Sequence, residues 1–154
     1  MAAADFHLVS EWRLAAPVAR VWSAIAAPEE WPQWWRAVEQ VETIEQGDAR
    51  SVGALRRIIW RTALPYKIAL LTRTTKIELM RLIEVEASGE LRGIGQWTFA
   101  PDGDGTRLRY DWRVAVEKPW MRLAAPLLRP VFAWNHGVVM RWGEQGLARR
   151  LAEH

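Results

Sequence analysis

The sequence predicts an α+β fold: a curved antiparallel sheet of about seven strands wrapped around a long C-terminal helix, with two short helices after the first strand. Three observations point to it. Segments alternating apolar and polar residues recur between Phe6 and Glu117, the period of strands with one face in water. Turns rich in Gly, Pro and Asp separate them. The one long helical pattern comes last, from Lys118-Pro119 to about Ala152. A meander of that length curls, and its apolar concave face must be covered. Only the last helix is long enough to do so. Where its side chains do not fill the concavity, a cavity remains.

In chain order, Phe6, Leu8, Ser10, Trp12 and Leu14 alternate with His7, Val9, Glu11 and Arg13, which predicts the first strand. Ala16-Pro17 ends it. Val18, Val21, Trp22 and Ile25 then follow at i, i+3, i+4, i+7, an amphipathic helix stopped by Pro28. The second short helix covers Glu29 to Trp35, its two carboxylates at the end where the helix dipole favours them. From Val38 onward come strands, punctuated by Gly47-Asp48, Leu64-Pro65, Ser88-Gly89-Glu90 and the hairpin loop Pro101 to Gly105. The clearest strand is the last, where Thr106, Leu108, Tyr110, Trp112 and Val114 alternate with Arg107, Arg109, Asp111, Arg113 and Ala115. In the final segment Pro126 and Pro130 are expected to break or kink the start, so that the regular helix runs from Val131. Its apolar stripe centres between Phe132 and Val139 and takes in Leu128, Met140, Gly143 and Leu147. No repeat, linker or low-complexity tract interrupts the chain, which reads as one domain, 1–154.

Composition narrows the function classes. The chain has 154 residues, half of them apolar, and eleven are tryptophan. So many indoles predict a large aromatic-lined interior, a sticky surface, or both. There is no cysteine, so no disulfide, thiolate metal site or Cys nucleophile can form. His7, His136 and His154 show no metal-binding spacing, and no cofactor is expected. Gly93-Ile-Gly95 lacks the third glycine of a dinucleotide fingerprint and continues as a strand. No Gly-x-Ser-x-Gly elbow exists, so nucleophile-based catalysis has no support. No secretory signal or membrane span is visible, and a cytoplasmic location is the default. Residues 1–49 hold three basic and eight acidic side chains, whereas residues 50–81 hold eight basic ones and only Glu78. The basic segment reads as the solvated outer face of neighbouring strands, with an anionic ligand or membrane surface as the alternative. No nucleic-acid motif accompanies it.

The candidate site follows from the faces. Trp60, Trp97 and Trp112 lie on strand faces expected to point inward, with Tyr66 at a strand start. Gly93 and Gly95 share the inward face with Trp97, leaving room for bulky neighbours. Tyr110 falls on the apolar face of the last strand. On the final helix Phe132 and Val139 face inward, with Asn135 and His136 within ~60° of the stripe centre. An amide and an imidazole there need partners, and a ligand oxygen is one. Gly137 beside them is expected to accommodate a close neighbour. Tyr110 and His136 are hydrogen-bonded core residues, ligand anchors, or acid/base groups. Trp134 points away from the stripe and is exposed or meets a partner, either a second copy or a membrane surface.

Several phrases carry a resemblance: Ala16-Pro17-Val18-Ala-Arg-Val21-Trp22, Glu30-Trp31-Pro32-Gln-Trp34-Trp35, Gly93-Ile-Gly95-Gln-Trp97-Thr-Phe99, Gly105-Thr106-Arg-Leu108 and Trp134-Asn-His136-Gly-Val-Val-Met140. In this order they resemble the START-like (helix-grip, SRPBCC) superfamily, in its polyketide cyclase/dehydrase and lipid-transport branch. The resemblance spans essentially the whole chain. It implies a pocket for a small hydrophobic or aromatic ligand, lipid- or polyketide-like, between sheet and final helix. The alternative it implies is a cyclase or dehydratase using His136 and Tyr110 as acid/base groups.

Overall fold

The computed structural model describes residues 4–116 and 119–153. Met1 to Ala3, Glu117, Lys118 and His154 lie outside the described residues. The elements are β1 (Ala4–Leu14), α1 (Val18–Ile25), a 3-10 helix (Pro28–Gln33), β2 (Val38–Glu45), β3 (Leu55–Arg61), β4 (Lys67–Glu78), β5 (Leu82–Gly89), β6 (Arg92–Asp102), β7 (Gly105–Val116) and α2 (Pro119–Ala152). The seven strands form one antiparallel sheet in the order β1-β7-β6-β5-β4-β3-β2. This is the helix-grip arrangement. Except for β1, each strand lies beside its sequence neighbour, as hairpin connections require. β1 pairs with β7 instead, from Ala4 opposite Val116 to Leu14 opposite Thr106.

Alternation decides which side chains face α2. Trp12 and Leu14 on β1, Ile58 on β3, Ile83 on β5, Trp97 and Phe99 on β6 and Leu108 on β7 are all buried. Their neighbours one residue away point to the outer face. In β4 the register slips between Thr74 and Lys76, a bulge that carries Ile77 to the side its even-numbered predecessors had occupied.

The tryptophans form the centre of the core. Trp12, Trp31, Trp34, Trp35 and Trp97 are each at least nine-tenths buried. Trp35 packs edge-on against Trp12 at 5.3 Å and Trp60 at 5.1 Å, and stacks on Trp34 at 5.6 Å. Its indole N–H donates to the Val139 carbonyl of α2 at 2.9 Å. α2 approaches this cluster through glycines. A Cβ on Gly143 would stand 2.6 Å from the rings of Trp12 and Trp35, and one on Gly146 would overlap the Trp34 carbonyl.

The final helix differs from expectation. α2 is continuous from Pro119, with Pro126 and Pro130 inside it, instead of becoming regular at Val131. Each proline deprives the carbonyl four residues earlier of its donor. Both prolines lie on the exposed side of the helix, where water can take the place of the missing N–H. No helix among the described residues is long and apolar enough to cross a membrane.

Candidate ligand-binding site

Between the inner face of the sheet and α2 lies a cavity of about 950 Å³. Small-molecule sites span roughly 300–1,000 Å³, so this one is at the upper end. Its wall is mostly apolar: Phe6 and Leu8 from β1, Ile68 and Leu70 from β4, Val85 and Ala87 from β5, Leu128 and Phe132 from α2. Exposed residues border it at both ends. Tyr66 and Trp120 stand where β4 and α2 begin, and Arg50 and Leu79 stand at the β2–β3 and β4–β5 connections.

Beside Gly93 and Gly95 the side chains of Tyr110 and His136 face the cavity. The Tyr110 ring lies across Gly95, where a Cβ would collide with the phenolic oxygen. Gly93 likewise leaves room for Trp112, whose ring would stand 3.2 Å from a Cβ there. The His136 ring lies nearly parallel to Tyr110, 6.3 Å away at 16°. Among the described residues neither the Tyr110 hydroxyl nor the His136 imidazole has a hydrogen-bond partner. Burial pushes the His136 pKa down to about 4 and raises that of Tyr110 well above the ordinary phenol. Both are therefore neutral at pH 7. They present one O–H and one N–H donor together with their lone pairs.

The far end is more polar. Arg56 is buried and points inward, while its Nε donates to Glu29 at 2.7 Å. Burial opposes the Glu29 carboxylate, but hydrogen bonds from Arg56 and Thr43 outweigh it and hold the pKa below the usual value. Thr72 and Thr74 from β4 line the same end. The reading of residues 50–81 as a solvated outer face holds for Arg57, Arg61, Lys67, Lys76 and Arg81, which are exposed, and fails at Arg56. Arg56 shares the parity of Ile58 and Trp60 and so turns inward, and Arg50 borders the cavity from its loop.

Trp60, Tyr66, Trp97, Tyr110, Trp112, Phe132, Asn135, His136 and Val139 all border the cavity. They do not do the same thing there. Trp97 and Val139 are buried in the tryptophan core. Tyr66 stands at the rim, exposed. Phe132 packs on Phe6 at 5.1 Å. The Trp60 indole N–H is buried without a partner. Asn135 accepts the Ala63 backbone N–H at 2.8 Å, which ties the β3–β4 connection to α2. Gly137 meets no neighbour within 4 Å of a would-be Cβ, contrary to expectation. The close approaches belong to Gly143 and Gly146, further along the helix.

Trp31 and Trp35 also line the cavity, from the 3-10 helix and just after it. The aromatic run in that segment was their signal, but no strand parity marked which ring turns inward. Among the described residues no group of three or more His, Cys, Asp or Glu side chains converges.

A family model described as polyketide cyclase / dehydrase and lipid transport matches residues 5–152. The chain belongs to that family. No curated protein matches its sequence significantly. Solved structures share its fold. The Thermus thermophilus protein TTHA0849 is 19% identical, with a TM-score of 0.77 over 94% of this chain and 99% of that one. A START superfamily protein from Mycobacterium smegmatis is 16% identical, with a TM-score of 0.77 over 96% and 97%. The di-domain ARO/CYC StfQ of the steffimycin biosynthetic pathway is 15% identical, with a TM-score of 0.71 over 96% of this chain and 52% of its own. At such identities the likeness establishes the START-like helix-grip fold alone.

Proposed function

We propose that this chain acts as one domain that binds a hydrophobic or aromatic small molecule, lipid- or polyketide-like, between the sheet and α2. The observation that carries this reading is the cavity of about 950 Å³ with an apolar wall and two neutral, unpartnered polar groups side by side in it. A buried donor without a partner costs on the order of 1–3 kcal/mol, and a ligand oxygen at Tyr110 and His136 would recover that cost. Native mass spectrometry of freshly purified protein, with solvent extraction of whatever is bound, tests it. A co-purifying apolar molecule supports the reading. His136→Phe is expected to leave the fold intact and to weaken binding of an oxygenated ligand about tenfold, equivalent to about 1.4 kcal/mol. Unchanged affinity would remove His136 from the site.

A cyclase or dehydratase is the second reading, favoured by the adjacency of Tyr110 and His136 and by the family's description. Acid/base catalysis works best with pKa values near the working pH. Here burial moves both groups away from it, the imidazole downward and the phenol upward. The two residues are therefore better suited to holding a carbonyl than to moving its protons. Turnover of a poly-β-ketone analogue, lost in His136→Phe, would reverse that preference.

A further inference from the structure

Three charged side chains border the cavity among the described residues: Arg50, Arg56 and Glu90. Arg56 is the buried one, at 8% exposure. A guanidinium carries a fixed charge and five N–H donors in a planar fork. Its Nε is engaged by Glu29, while the two Nη groups make no hydrogen bond among the described residues. Glu29 does not border the cavity, and its side chain is 47% exposed. Thr74 on β4 is the diagonal neighbour of Arg56, whose direct partner across the strands is Thr72. Such neighbours stand ~7–8 Å apart, within reach of a long side chain. Thr74 is 5% exposed and borders the cavity, and its hydroxyl has no hydrogen-bond partner among the described residues. A buried guanidinium edge and a buried hydroxyl call for an acceptor.

Arg50 closes this end from the β2–β3 loop. There Asp48 Oδ1 accepts the N–H groups of Arg50 and Val52 at 2.8 and 3.0 Å and fixes the turn. The Arg50 guanidinium meets no carboxylate among the described residues. Arg50 and Arg56 against Glu29 leave one positive charge, which a single carboxylate cancels. A phosphate dianion would exceed it, and an uncompensated charge at a buried site is costly. The edge formed by two Nη groups also matches the two oxygens of a carboxylate. Glu90, the one carboxylate bordering the cavity among the described residues, lies elsewhere. Its Oε2 accepts the Ala69 N–H at 2.7 Å, three residues along β4 from Thr72, or about 10 Å at 3.3 Å per residue. Its charge falls on Tyr66, whose pKa burial and Glu90 together raise. The cavity is thus positive towards Arg56 and negative towards Tyr66.

We propose that Arg56 and Thr74 form an anion subsite for the carboxylate of an amphipathic organic acid, with Arg50 over it and the apolar body of the ligand running along the sheet towards Tyr110 and His136. The subsite rests on the ligand-binding reading and deepens it, because it says which end of the ligand enters where. Arg56 on β3 and Tyr110 on β7 are four strands apart, roughly 19 Å along the curved sheet at about 4.8 Å per strand. Ile68, Leu70, Val85 and Ala87 line the wall on β4 and β5, between those strands, and suit an apolar body. The Arg56–Glu29 pair fastens the 3-10 helix to β3 through Nε and leaves the Nη edge for the carboxylate.

Dodecanoate and 1-dodecanol share an apolar chain and differ in the head. Their displacement of the neutral fluorophore N-phenyl-1-naphthylamine from the full chain tests the proposal. The acid is expected to bind about tenfold or more tighter than the alcohol. In Arg56→Gln that preference is expected to vanish through weaker acid binding, with the affinities for alcohol and fluorophore unchanged. Thr74→Val, close in shape and without the hydroxyl, is expected to weaken acid binding about threefold or more and to leave the alcohol as it was. Circular dichroism checks that both variants fold, and if Arg56→Gln does not, Thr74→Val carries the test. Equal affinity for acid and alcohol in the wild type overturns the subsite and leaves the ligand-binding reading standing. So does a folded Arg56→Gln that keeps the preference, or folded variants that lose alcohol and acid alike, as a purely structural tether would. Dodecyl phosphate binding more tightly than dodecanoate overturns the choice of a carboxylate. A wild type that binds neither fluorophore, alcohol nor acid fails the ligand-binding reading and the subsite with it.

Discussion

The two halves of α2 share one helix but not one environment. From Val139 to Leu151 the helix buries Val139, Met140, Leu147 and Leu151 against a tryptophan cluster it can approach because of Gly143 and Gly146. The helix is also held by hydrogen bonds from other elements. Trp35 donates to the Val139 carbonyl, Arg20 donates to the Leu151 carbonyl at 2.8 Å, and Glu144 accepts the Arg13 N–H at 2.9 Å. From Pro119 to Trp134 the helix buries only Ala125 among its described side chains, leans on Phe6 through Phe132, and leaves a row of large apolar residues in solvent. The C-terminal half fixes the fold; the N-terminal half roofs a space. Segments with few buried contacts open locally more readily than core segments, and this helix contains both kinds.

The glycines give the sharpest way to break the comparison. Gly146→Ala forces a Cβ into the Trp34 backbone carbonyl, which cannot rotate away. A loss of about 3 kcal/mol or more in urea unfolding is expected. If Gly146→Ala is neutral, the close packing of the C-terminal half is not what holds the helix.

Acid sharpens it next. The His136 pKa is about 4 in the folded chain, against 6.5 for an unperturbed imidazole. The unfolded chain therefore takes up the proton first as pH falls. Stability is full above about pH 6.5 and declines towards pH 4, by roughly 2–3 kcal/mol from this group. His136→Phe should remove that part of the decline. Chemical unfolding of both proteins from about pH 7 to pH 4.5 measures it, and parallel curves would contradict it.

The smallest expected effect lies at Gly137. With no neighbour near its would-be Cβ, Gly137→Ala should stabilise the helix by about 0.5–1 kcal/mol through propensity alone. The same substitution thus changes sign between position 146 and position 137. Equal effects at the two positions would erase the distinction drawn here.

The sequence made the strands and the inward faces of β6 and β7 legible because period-two alternation is a direct record of burial. Tyr110, Trp112 and the two glycines that make room for them could be read that way. The β4–β5 turn could not, because Leu79 and Met80 offer no Gly, Asn or Pro, and Met80 holds a positive φ of 63° without one. Helical periodicity placed Asn135 and His136 near the inward face, but periodicity carries no information about partners. Asn135 proved to be tied to the Ala63 N–H, while His136 stands free of protein hydrogen bonds among the described residues. Gly137 was misread for the same reason. A glycine in a helix signals either close packing or none, and only the tertiary contacts distinguish the two. The prolines misled in the opposite direction, since solvent can replace the donors they remove.

Hydrogen exchange along α2, with and without 8-anilino-1-naphthalenesulfonate as a probe for the cavity, tests the division most directly. The amides of residues 123–135 are expected to exchange by local opening and to slow when the probe binds. Those of residues 140–151 are expected to exchange only with global unfolding, whether or not the probe is present. A helix that exchanges as one unit, or a probe that protects the C-terminal half and leaves the N-terminal half unchanged, would contradict the account.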